Sequence, residues 1–118
     1  MDLSRKVSNV SRSAFETTLG LERTLRWRQG IIDAKAKVVQ AKAEIIDHNL
    51  GNAARELAEA EQYAEKATRG EEHSERLADL KPIIEKIRAA RTDLEGGKSV
   101  SRTRLDELQK DLDRLANK

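Results

Sequence analysis

Two histidines are the residues best suited to metal or acid–base chemistry, and each lies beside carboxylates: Glu44, Asp47 and His48 in one place, Glu71, Glu72 and His73 in another. Glu44 and His48 are four apart, so on a helix they share a face and form half of a metal site. The completing groups are missing. A zinc-protease helix needs His-Glu-x-x-His, and a di-iron bundle needs Glu-x-x-His on two helices; Ile45 and Gly70 stand where those glutamates would have to be. The spacing therefore predicts solvated helix faces, with no metal and no cofactor. The chain has no cysteine, which removes disulfides, zinc ribbons, thiol nucleophiles and iron–sulfur clusters.

Phosphoryl and acyl chemistry meet the same obstacle. Gly96-Gly97-Lys98-Ser99 ends like a phosphate-binding loop, but the first glycine of that motif belongs five residues before the Gly-Lys pair, where Thr92 stands, and no strand precedes it. No Gly-x-Ser-x-Gly occurs, and no histidine is spaced to serve a serine as base. The expectation is a protein that is not an enzyme.

Nucleic acid is the alternative partner. Residues 1–30 carry Arg5, Lys6, Arg12, Arg23, Arg26 and Arg28 against Asp2, Glu16 and Glu22, a local excess of positive charge. Lys98, Arg102 and Arg104 form a second basic cluster. Arg23, Arg26 and Trp27 share a helix face, an arrangement that can meet phosphates and stack a base. Against this, Trp27 is the only tryptophan in a chain short of bulky side chains, which favours a packed ring. Ser99 to Leu105 has the turn and helix start of a helix-turn-helix, but Ser99 and Glu95 replace the small residues of that motif, and Gly96-Gly97 would interrupt its first helix.

These residues have to be carried by helices. Of 118 residues, 37% are charged, 3% are aromatic and one is proline, which suits long helices better than strands. Fifteen of the 44 apolar residues are alanine, so 29 larger ones must fill a thin core. Basic and acidic residues nearly cancel, at a net charge of +2, so self-repulsion does not oppose folding. No apolar run reaches the roughly 18 residues of a membrane span, and Met1 to Lys6 lacks the apolar stretch of a secretory signal, so the expectation is a cytoplasmic protein with no membrane partner.

Apolar residues recur at spacings of four and three through Ile32, Ala36, Val39, Ala43, Ile46, Leu50, Ala53, Leu57, Ala60, Ala64 and Ala67. A second such seam runs Leu77, Leu80, Ile84, Ile87, Arg91, Leu94, and a third Leu105, Leu108, Leu112, Leu115. Punctuation then divides the chain into a flexible basic tail over 1–12 and one helical domain over 13–118. Ser13 to Glu16 reads as a capping box opening a helix over 13–29, with Gly30 ending or bending it. A helix follows over 31–69, continuous or broken near Gly51. Arg69-Gly70 stops it, and Glu71, Glu72 and Glu75 favour a helix N-terminus over 72–95, where Pro82 predicts a kink or a fresh start. Gly96-Gly97 closes that helix, and Ser99 or Ser101 caps the last, over 101–117.

The fold class is all-α: a long antiparallel helical hairpin, coiled-coil-like, with shorter flanking N- and C-terminal helices in a small bundle. Its most apolar part doubles β-branched residues every seven positions, at Ile31-Ile32, Val38-Val39 and Ile45-Ile46. That stripe is wider than one helix partner requires. The expectation is a protein-interaction module, such as an adaptor, assembly factor or small inhibitor of a larger protein, that presents these six residues with Arg23, Arg26, Trp27 and Arg28 at the rim. A homodimer is the leading form of that contact; nucleic-acid binding through Arg5, Lys6, Arg12, Lys98, Arg102 and Arg104 ranks second.

Overall fold

A computed structural model of the chain describes the backbone of residues 2–69 and 74–117, and the side chains of 20–69 and 74–117. It contains four helices, α1 (Asp2–Ile46), α2 (Leu50–Ala67), α3 (Glu75–Glu95) and α4 (Arg102–Ala116), and no strand among the described residues. None of the four is long and apolar enough to cross a membrane.

The connections follow from local chemistry. At the end of α1 the Asn49 N–H donates to the Glu44 carbonyl (2.8 Å) and the His48 N–H to the Ile45 carbonyl (3.0 Å), with His48 in the left-handed region at φ 62°. This paired closure normally employs glycine at the left-handed position. The end of α3 repeats it with glycine: Lys98 N–H to Asp93 carbonyl, Gly97 N–H to Leu94 carbonyl, and Gly97 at φ 78°. Ser74 accepts from the Leu77 N–H and Ser101 from the Arg104 N–H, which caps α3 and α4.

Packing joins α1 to α2, α2 to α3, α3 to α4 and α4 back to α1, with no close backbone approach across either diagonal among the described residues. The result is a square, up-and-down four-helix ring. Its core takes one stripe from each helix: Trp27, Ile31, Ala34, Val38 and Ala41; Ala53, Leu57, Ala60, Ala64 and Ala67; Leu80, Ile83, Ile84, Ile87, Ala90 and Leu94; Leu105, Leu108, Leu112 and Leu115. Alanine dominates α2, so its neighbours come close enough to offset the missing bulk.

Several boundaries differ from expectation. Helix α1 begins at Asp2, so the backbone of 2–12, expected as a flexible tail, is helical, and the helix passes through Ser13–Glu16 and through Gly30 without stopping. Gly30 is buried against α2, where it serves packing. The stretch 31–69 is not one helix: it reverses at Asp47–Asn49, and Gly51 lies inside α2. The principal hairpin is therefore α1 with α2. Helix α3 starts at Glu75, after its Ser74 cap, and runs through Pro82 unbroken; Pro82 and Ala78, whose carbonyl loses its donor, are both exposed, so that carbonyl is open to solvent. Gly70, Glu71, Glu72 and His73, read as a helix stop and an acidic N-terminus, lie outside the described residues.

At about 1.5 Å per residue α1 is some 68 Å long, which accounts for the 70 Å long axis of the molecule. Helix α2 has 18 residues and flanks only the C-terminal part of α1. The backbone of α1 before Trp27 therefore continues beyond the ring.

Candidate functional site

The paired β-branched residues of α1 divide between two faces. Adjacent helix positions differ by about 100°, so in each pair one side chain turns inward and the other out. Ile31 and Val38 are fully buried and Ile45 is half-buried against the core, whereas Ile32 is 46% exposed, Val39 40% and Ile46 50%. Ala36 and Ala43 are exposed between them. Leu21 and Leu25, exposed by 59% and 62%, extend the outer stripe along α1.

This corrects the predicted contact surface. Of its six apolar residues only Ile32, Val39 and Ile46 are available to a partner; Ile31, Val38 and Ile45 hold the bundle together. Trp27, expected at the rim, is 2% exposed, with the Arg76 guanidinium 5.7 Å from its ring centroid. It is core, and its ring is covered. Arg23, Arg26 and Arg28 are exposed on the same helix, with Arg26 donating to the Arg69 carbonyl at 3.5 Å. Sequence reading placed Ala36 and Ala43 in this seam but missed Leu21 and Leu25 as stripe residues. The signal was there for Leu25, which precedes Ile32 by one seven-residue step.

Ion pairs fix which face of α1 stays open. Lys35 pairs with Asp113 and Lys42 with Asp106 on α4; Lys37 bridges Glu56 (3.2 Å) and Glu59 (2.7 Å) on α2. These contacts raise the Lys37 ammonium above its usual range, chiefly through Glu59 and then Glu56, and lower the Asp106 carboxyl through its hydrogen bond from Lys42. Helices α2 and α4 thus flank the inner face, and no helix among the described residues covers the outer stripe. Beside it, a groove of about 440 Å³ is lined by Arg28, Ile32, Lys35, Asp113, Ala116 and Asn117.

Glu61 on α2 is largely buried and receives Arg88 Nε at 2.8 Å and Arg91 at 3.3 Å from α3, which ties those helices and raises the Arg88 guanidinium. In the second basic cluster Arg104 is engaged with Asp93 at 2.8 Å, while Lys98 and Arg102 are exposed. The side chains of Arg5, Lys6 and Arg12 lie outside the described residues. Among the described residues no three His, Asp or Glu groups gather as metal ligands. His48 serves the α1–α2 turn.

Comparison with protein-family models, with curated proteins and with solved structures found no match to the chain.

Proposed function

We propose that the chain is a non-enzymatic protein–protein interaction module, of the adaptor, assembly-factor or small-inhibitor kind, whose binding surface is the outer face of α1. The observation that carries this reading is the spacing of Ile32, Val39 and Ile46. They are 40–50% exposed at seven-residue intervals on a helix whose opposite face is buried. Scattered surface apolar residues are ordinary, but an uncovered row at helical period on a rigid element is the form in which a helix or groove is recognised. Removing each such side chain from water on binding is worth up to about 1.5–3 kcal/mol, discounted for the part already covered. Charges beside the row set partner choice and encounter rate more than affinity.

Nucleic-acid binding has less support. Trp27 is buried, and Arg104 is committed to Asp93.

A photo-crosslinking amino acid in place of Val39, activated in native cells, tests the reading. A protein adduct at that position, of whatever identity, is expected; nucleic-acid adducts alone, or no adduct, would overturn it.

A further inference from the structure

We infer that the occupant of the outer stripe is a second copy of this chain, docked antiparallel through α1 about a two-fold axis between Lys37 and Val38. The inference rests on the reading of α1 as a binding surface and adds the identity and orientation of what covers it.

The argument is self-complementarity. In a helix pair with an isologous two-fold axis, residues i and j meet when their numbers sum to a constant. For an antiparallel pair centred between positions 37 and 38 the constant is 75. Ile32 then stands level with Ala43 of the other copy, and Ala36 with its Val39, so across the centre of the row a large side chain faces a small one, while further out Ile46 stands level with Gln29. That is the arrangement which lets two ridges interdigitate without gaps. All four residues are exposed. One turn beyond them the same sum places Arg28 level with Asp47. Both are exposed, and neither side chain has a partner among the described residues. A cation and an anion thus close the row at each end, twice over by symmetry.

Parallel pairing gives the opposite result. It would set Ile32 against Ile32 and Ala36 against Ala36, alternating bulk with gaps, and would place Arg28 against Arg28 and Asp47 against Asp47. Charge and size therefore choose one orientation. The matched row spans Arg28 on α1 to Asp47 just past its end, about 30 Å, so the contact belongs with small and reversible interfaces. Lys35 and Lys42, the other cations near this face, are neutralised by Asp113 and Asp106 of their own chain and do not oppose the approach.

Sedimentation of the full chain across a concentration series up to several hundred micromolar is expected to show a reversible monomer–dimer equilibrium. Arg28→Asp and Asp47→Arg are each expected to weaken it about tenfold, since each creates two like-charge contacts, and the double variant R28D/D47R to recover most of the loss. Circular dichroism should be unchanged throughout, because both positions are exposed. A wild-type chain that stays monomeric, or a double variant no better than the singles, would overturn the inference. If the chain is monomeric and a crosslinker at Val39 still captures a different protein, the antiparallel dimer fails and the interaction-module reading stands. If nothing is captured, both fail.

Discussion

Gly30 on α1 and Ala67 on α2 approach so closely that a Cβ built on Gly30 would lie 2.5 Å from the Ala67 Cβ and 3.0 Å from the Tyr63 carbonyl oxygen. That is nearer than two carbon atoms can pack, so the glycine is required by its neighbour and not by its own backbone, which is ordinary helix. The spacing of the whole α1–α2 pair at this end depends on it. Gly30→Ala should therefore destabilise by about 1–3 kcal/mol, against the gain of about 1 kcal/mol that the same change gives in an open helix. Ala67→Gly in the same chain should return part of that loss. Urea denaturation followed by circular dichroism decides, and a stabilised Gly30→Ala protein would show that the helices are further apart.

Val38 and Val39 are neighbours with opposite fates. Val38→Glu puts a carboxylate into the core and should cost more than about 4 kcal/mol, enough to unfold a small bundle. Val39→Glu should leave the thermal midpoint within a few degrees of wild type while abolishing association through α1. Thermal denaturation of the two variants in parallel checks the assignment of faces.

His48 occupies a left-handed position that disfavours any residue with a Cβ. His48→Gly should stabilise by about 1 kcal/mol, read as a higher urea midpoint with unchanged slope. A loss would mean that the imidazole contributes more to the turn than its backbone conformation costs.

Glu61 is held between Arg88 and Arg91. Removing one member of such a group leaves the others without their counter-charge, so Glu61→Ala should cost about 1–3 kcal/mol, with the loss reduced in an Arg88→Ala background. Additive effects in that double-mutant cycle would show that the pair is not coupled.

Two titrations should shape stability against pH. Asp106 has a folded-state pKa below its unfolded value of about 3.9, so its contribution is present above that value and is lost as pH falls through the folded one. Lys37 is raised above its unfolded value of about 10.4, so its contribution is complete below that pH and disappears as pH rises through the folded value. Asp106→Asn should shrink the acid limb and leave the alkaline one, and Lys37→Gln should do the reverse. Both effects should weaken in high salt, because these pairs are only partly buried.

The fold class, the α3 and α4 seams, the Ser101 cap and the Gly96-Gly97 stop were legible because each rests on a local rule. The reversal at Asp47 was legible only as one of two alternatives, a break near Gly51 against a continuous helix, for a physical reason. Helix α1 is apolar on two faces, and the seam through Ile32, Val39 and Ile46 is its outer one, whereas Ala53, Leu57 and Ala60 are the inner face of α2. The four-three spacing runs across the turn in register although the two halves face in different directions. A histidine in place of the customary glycine hid the turn itself. The same double-faced character made the Ile31–Ile46 stripe readable as surplus, while which member of each pair was the surplus depended on where α2 and α4 dock.

The square arrangement of helices has a kinetic consequence. Three of its four sides join consecutive helices through short connections, so their loop-closure entropy is small and they can form as hairpins. The fourth side, α4 on α1, joins distant positions such as Lys42 and Asp106, separated by 64 residues. Most of the topological cost of folding falls on that side. Helix α4 has less contact with the rest of the ring than α2 has, so it is the helix that the native ring releases most readily. Amide exchange in α4 should outpace exchange in α2, and the lowest-lying excited state of the molecule should be a three-helix strip with the leucines of α4 turned away from Ile31.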